Sequence, residues 1–231
     1  MIEKPIISAE EAAALVKDGM VIMAGGFMGC GVADAIVGAL KARELKGATL
    51  ISNDTSFHDF KTGFINGVGP LVQAHGFDRI ITSHIGLNQE TQRQMNLGET
   101  VVDLTPQGTL AEQVRAGGAG LGGFLTPTGI GTEAADGKQV ITVEGKTFLL
   151  ELPLRAEVAL LKAKRADKAG NLIYAGTARN FNPLMATAAE VVIAEVEEIV
   201  EIGEIDPNDV HTSSIFVDFL VRAERLDMWE K

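Results

Sequence analysis

Short apolar runs alternate along this chain with stretches whose apolar positions recur at helical spacing. Val21–Ala24 reads V-I-M-A, uncharged and bounded by Gly25 and Gly26, and predicts a buried parallel strand. Ala48–Ser52, residues 79–83 (R-I-I-T-S) and Val101–Leu104 are three more short apolar runs, each ending in polar residues. Beyond Gly31 the period changes: Val32, Ile36, Val37 and Leu40 share one helical face, and Lys46 and Gly47 are expected to close that helix. Residues 109–115 and 182–190 read as further helices, and 158–162 and 191–196 as two more core strands. Strands alternating with helices predict an α/β fold, a mostly parallel sheet flanked by helices.

An excursion over about residues 116–152 breaks this alternation. Residues 116–137, rich in glycine with Pro127 and few charges, predict a closely packed loop region. Residues 139–152 predict a β-hairpin, with V-I-T-V and T-F-L-L flanking Glu144-Gly145-Lys146. Later, Glu195, Glu197, Glu198, Glu201 and Glu204 read as a solvated face rather than a metal site. The charged end, residues 222–231, is expected to fray.

At 231 residues and 46% hydrophobic content, the chain can bury a sizeable core, and residues 1–231 are expected to form one domain. A net charge of −11 argues against nucleic acid and against an anionic membrane surface as partners. The single cysteine cannot form an internal disulfide, no apolar run approaches a membrane span, and the first residues lack a signal-peptide layout. A soluble cytoplasmic protein is the expectation.

In parallel sheets, ligands gather at the carboxyl ends of the strands. The glycine loop after Ala24, Asn53, His84 and Gln107 each follow a predicted strand, so all four are expected to converge on one cleft. Glycines 25, 26, 29 and 31 permit unusual backbone angles and close approach, so the amides opening the next helix are expected to face a negative charge or an oxyanion. The spacing G-G-F-x-x-G-x-G is neither the dinucleotide fingerprint nor a P-loop, and a glycine-rich strand-to-helix turn without a ligand is the competing reading. Cys30 has no paired histidine in the sequence, and His58, His75, His84 and His211 lack ligand spacing, so no metal is expected. Arg115, beside Gly117 and Gly118, is read two ways: as a phosphate contact, or as the ion-pair partner of Glu112 or Asp103.

Asp18 to Gly31, D-G-M-V-I-M-A-G-G-F-M-G-C-G, resembles the signature of the two-subunit family I coenzyme A transferases, in the one called the alpha subunit. Ser52-Asn53-Asp54-Thr55, Ser83-His84-Ile85-Gly86, Pro106-Gln107-Gly108-Thr109, Arg115 to Gly120 and Ala178-Arg179-Asn180-Phe181-Asn182 resemble that subunit's later blocks, in order. The likeness covers residues 10–222 and is nearest to the alpha subunits of short-chain enzymes acting on acetate, butyrate and acetoacetate.

The resemblance implies coenzyme A, brought as acyl-CoA, as the ligand, with Gly25, Gly26, Phe27, Met28, Gly29, Cys30 and Gly31 as its binding segment. It also implies that Asn53 and Gln107 approach the substrate, and that the nucleophilic glutamate lies in a beta subunit's S-E-N-G motif, absent here. No catalytic residue is then expected in this chain, and an α2β2 assembly is. The alternatives are the corresponding subunit of a 3-oxoacid (succinyl-CoA or 3-oxoadipate) CoA transferase, or a nonenzymatic acyl-CoA-binding module. Separately, the competing readings of the two residues are that Asn53 caps a turn and that Gln107 only holds the start of its helix. Three positions depart from the family pattern: Ala33 replaces a proline, while Asp54 and Leu87 stand where succinyl-CoA-using mitochondrial relatives carry asparagine and glutamate.

Overall fold

The computed structural model describes residues 2–223. Strand β1 (Ile6–Ile7) leads into helix α1 (Ala9–Leu15), where Ser8 accepts from Glu11 N–H while the Glu11 carboxylate accepts from Ser8 N–H, a reciprocal cap. Next come β2 (Val21–Ala24), α2 (Asp34–Ala42), β3 (Ala48–Ser52), α3 (Gly69–Gln73), β4 (Phe77–Thr82), α4 (Gln89–Leu97), β5 (Val101–Leu104) and α5 (Gln107–Gly118). Strands β6 (Phe124–Thr126), β7 (Val140–Val143) and β8 (Lys146–Glu151) form a separate antiparallel sheet in the order β6-β8-β7. The chain then returns through β9 (Ala156–Asp167), β10 (Leu172–Ile173), α6 (Asn182–Thr187), β11 (Ala189–Val200) and β12 (Phe219–Arg222).

The main sheet runs β1-β12-β11-β9-β2-β3-β4-β5, all parallel, with β10 added antiparallel to β9. From β2 the chain builds outward to β5, and from β9 outward to β12. The order therefore reverses at the β2–β9 border, where an open parallel sheet leaves a crevice at its carboxyl edge. Alternate residues of the central strands enter two separate apolar clusters: Ile22, Leu50, Val158 and Leu160 pack with Ile36, Val37 and Leu40 of α2, while Met23, Ile51, Ala159 and Leu161 pack with Leu110 and Val114 of α5 and Met185 of α6. Strands covered on both faces need apolar residues at every position, which explains their uninterrupted apolar runs.

The predicted fold class holds, and several expectations about its parts need correction. Helix α2 stops at Ala42, not at Lys46; Glu44 takes a left-handed φ of 58°, ending the helix, and Lys46 donates its N–H to Asp18 and its ammonium to Ala74 O. Residues 116–137 are not closely packed as expected: only Ala116 and Gly117, in the last turn of α5, are buried, the later glycines serve turns, and Phe124–Thr126 adds a third strand to the predicted hairpin. The helix expected over 182–190 ends at Thr187, because β11 begins at Ala189.

Glu195 leaves the acidic series: it is 1% exposed and faces inward. Glu197, Glu198 and Glu201 remain at the surface, paired across β9 and β11 with Lys164, Arg165 and Lys168. Of the end expected to fray, Arg222 lies in β12 and residues 224–231 lie outside the described residues.

Candidate active-site cleft

The loop after β2 is built from both halves of the chain. Gly25 N–H donates to Leu160 O of β9, extending the pairing past the end of β2. A side chain at Gly25 would collide with the amide of Asn182, which is fully buried and donates to Gly31 O at 3.0 Å. Phe27 and Cys30 then exchange backbone hydrogen bonds of 3.0 and 2.9 Å around Met28 (φ 51°) and Gly29 (φ 84°), the two left-handed residues of a type I′ turn. Asn180 fastens this turn, accepting from Gly26 N–H at 3.1 Å and donating to Cys30 O at 3.0 Å.

Most amides of the glycine loop are therefore not free, contrary to what its composition suggests. The N–H groups of Gly25, Gly26, Phe27, Met28 and Cys30 all donate within the chain. At the start of α2, Ala35 and Ile36 donate to the buried Glu195 carboxylate at 2.9 and 3.2 Å, so the positive end of that helix already faces a negative charge. Buried backbone donors need acceptors, and the interior supplies them. What the loop presents outward is side chains: Phe27 is 40% and Met28 37% exposed, and Cys30 is exposed with its thiol 3.2 Å from Thr177 Oγ1.

Beside the loop, β3 delivers Asn53 and Asp54, both buried. The Asp54 carboxylate accepts from Met28 N–H (2.8 Å), Asn53 Nδ2 (2.6 Å) and Ser56 N–H (2.7 Å). Asn53 Oδ1 accepts in turn from Gln107 Nε2 at 2.7 Å and from Ser83 Oγ at 3.3 Å. Gln107, the first residue of α5, thus reaches across the cleft to Asn53 instead of capping its own helix. Ser83 and His84 follow β4. Phe27, Met28, Asn53, Asp54, Ser83, His84 and Gln107 line one cleft of about 340 Å3.

The convergence expected of the glycine loop, Asn53, His84 and Gln107 is thus present. Three contributors carried no individual role in the sequence: Ser83, and the two asparagines 180 and 182 that hold the loop from below. Their only signal was membership in the S-H-I-G and A-R-N-F-N blocks.

The remaining polar candidates are accounted for elsewhere. Arg115 pairs with Glu112, its Nε 2.9 Å from the carboxylate, while Asp103 pairs with Arg79. His58 is buried with its ring 5.0 Å from that of Phe60, and His211 accepts from Tyr174 N–H. Among the described residues no group of three His, Cys, Asp or Glu is placed to hold a metal ion. The cleft combines an apolar wall, Phe27 and Met28, with an aligned pair of neutral amides. Such a site can hold an acyl group and donate to an oxygen that gains charge.

The coenzyme A transferase family matches residues 6–223. The chain is similar to the alpha subunit of acetate CoA-transferase from Escherichia coli, with 49% identity over 219 residues, covering 95% of this chain and 97% of that one. It is also similar to the corresponding subunit of succinyl-CoA:3-ketoacid coenzyme A transferase from Xanthomonas campestris, 48% identical over 209 residues, with 90% and 84% covered. Among solved structures, an acyl-CoA transferase from Escherichia coli, in a thioester complex with CoA, matches 96% of this chain with a TM-score of 0.83 at 20% identity. This chain spans 47% of that longer polypeptide, and the likeness speaks to the fold. With the family matched along nearly every described residue, and relatives almost half identical over most of their length, the chain belongs to the coenzyme A transferase family.

Proposed function

We propose that this chain is the alpha subunit of a short-chain acyl-CoA:carboxylate CoA transferase, exchanging CoA between acids such as acetoacetate and acetate, and working only with a beta subunit. The observation that carries this reading is the cleft, where the positioned amides of Asn53 and Gln107 face an apolar wall of Phe27 and Met28. The relatives are themselves named as subunits, which supports the same division of labour.

The partner's glutamate attacks the acyl-CoA carbonyl, releasing CoA thiolate and leaving an acyl-glutamyl anhydride. The thiolate attacks the glutamyl carbonyl and expels the first carboxylate, giving a glutamyl-CoA thioester. The second carboxylate then reverses the sequence. Each attack places negative charge on a carbonyl oxygen, and Gln107, backed by Asn53, is the donor this chain offers to it. The segment from Gly25 to Gly31 receives coenzyme A through the exposed Phe27, Met28 and Cys30 side chains, with five of its seven amides, those of Gly25, Gly26, Phe27, Met28 and Cys30, spent on holding the loop's shape. No helix among the described residues is long and apolar enough to cross a membrane; the cytoplasmic α2β2 assembly is part of the proposal and rests on the family resemblance.

Coexpression with a beta subunit, followed by an acetoacetyl-CoA plus acetate exchange assay, tests the proposal. Exchange is expected from the complex and not from this chain alone. Gln107→Ala in the complex is expected to lower turnover about a hundredfold with assembly intact. A complex that binds acyl-CoA without exchanging it would sink the enzyme reading and leave a binding module. The 48% identity to a succinyl-CoA:3-ketoacid transferase subunit favours one second reading, and an assay arm with succinate as the acid distinguishes it.

A further inference from the structure

We propose that Asp54 is a positioning residue: its carboxylate sets the direction of a hydrogen-bond relay through Asn53 that aims the amide of Gln107, and at the same time pins the turn that carries Phe27 and Met28. This rests on the function proposed above and adds to it a residue that the resemblance left without a role.

Donors and acceptors fix the direction of the relay. Asp54 is 6% exposed, and all three groups facing its oxygens, Met28 N–H, Asn53 Nδ2 and Ser56 N–H, are donors. An ionised carboxylate can only accept, so the Asn53 amide must present its NH2 to Asp54 and its Oδ1 to the cleft. Oδ1 can only accept, so Gln107 must turn its own NH2 toward Asn53, at 2.7 Å. One Nε2 hydrogen is thereby used, and the direction of the other is determined. Side-chain amides are nearly symmetric in shape and would otherwise take either orientation. Asn53 is 1% exposed at the back of the cleft, whereas Gln107 is exposed at it. The same carboxylate holds Met28 N–H at 2.8 Å, so it couples the apolar wall to the polar one.

In the hydrogen-bond setting of this chain, an asparagine at position 54, the residue that the succinyl-CoA-using mitochondrial relatives carry there, would keep the size and lose this logic. Its NH2 would face at least one of the three donors, or would donate to Asn53 Oδ1 and reverse the relay, turning the Gln107 amide over. In the complex with the beta subunit, Asp54→Asn is expected to lower kcat about 10- to 100-fold with KM changed by less than about threefold. The double variant Asp54→Asn/Gln107→Ala is expected to be no slower than Gln107→Ala alone, since both changes break one relay. Losses that multiply, or an unchanged kcat, overturn the proposal. If Asp54→Asn does not assemble, Asn53→Ala cuts the relay at its middle link, and the same comparison with Gln107→Ala decides.

A readout free of catalysis separates this proposal from the reading beneath it. In the 15N-labelled full chain, the side-chain NH2 signal of Gln107, assigned by its loss in Gln107→Ala, is expected to shift in Asp54→Asn. An unmoved signal overturns the relay whether or not the complex transfers CoA. An inactive wild-type complex with a shifted signal overturns the proposed function alone.

Discussion

Asp34, at the start of α2, shows what a single carboxyl experiences in this interior. Burial raises its pKa to about 6 from an ordinary 3.8, repulsion from the Glu195 carboxylate adds to the shift, and Lys162 opposes it. Between those two values the folded protein therefore holds a proton on Asp34 that the unfolded chain would have released. Between about pH 4 and pH 6 this group's contribution to stability falls as pH rises, and its penalty is complete above that window. Asp34→Asn is expected to stabilise the chain by roughly 1–3 kcal/mol at pH 8 and to make little difference near pH 4. Urea unfolding midpoints at the two pH values measure this, and an equal shift at both would disprove the assignment. At the same scale, Asp54 and Asn53 show how much chemical direction two adjacent side chains impose once both are buried.

At the scale of elements, α2 is held at its start from across the sheet. Ala33 offers no side-chain cap, and the helix instead donates the N–H groups of Ala35 and Ile36 to Glu195 on β11, whose other oxygen accepts from Lys162 on β9 at 2.6 Å. One carboxylate thus caps a helix, balances a largely buried ammonium and ties α2 to two strands. Glu195→Ala leaves that ammonium and two amides without their acceptor, and is expected to lower stability by about 3–5 kcal/mol. A thermal or urea unfolding curve checks this, and a loss below about 1 kcal/mol would show that water replaces the carboxylate at little cost. The sequence placed Glu195 among solvated glutamates because its neighbours Glu197 and Glu198 are exposed. Only the register of β11 on β9, with Glu195 opposite Lys162, turns it inward.

Across the whole molecule, packing is uneven. The central strands of the main sheet are buried on both faces, whereas in β6, β7 and β8 only Leu149 and Glu151 are buried and Leu125, Val140 and Val143 are exposed. Hydrogen exchange of the isolated chain is expected to be faster at the amides of β7 and β8 than at those of β2 and β9 by about two orders of magnitude or more. Equal protection would mean that the two sheets open together. The small sheet also leaves the cleft's geometry alone, since every residue that lines the cleft follows a strand of the main sheet.

The order of strands and helices around the cleft was legible in the amino-acid pattern without any coordinates. Val21–Ala24 and Ala48–Ser52 match their strands end to end, because a strand covered on both faces must be apolar throughout and stop where polar residues begin; Val101–Leu104 also matches its strand, although β5 lies at the sheet edge with Val101 and Leu104 exposed. Since parallel strands end on one edge, the same pattern also brought the glycine loop, Asn53, His84 and Gln107 together. It understated β9 and β11, each 12 residues long, because their outer stretches carry lysines, arginines and glutamates that are tolerable only when paired across the two strands.

Where the amide hydrogens go was settled only by the folding of distant segments onto one another. Gly26 finds its acceptor on Asn180, 154 residues away, and Ala35 finds its own on Glu195, 160 residues away. Composition can say that a glycine loop has free backbone to offer. Whether that backbone is spent inside or left for a ligand depends on acceptors that reach it only when the second half of the sheet closes on the first.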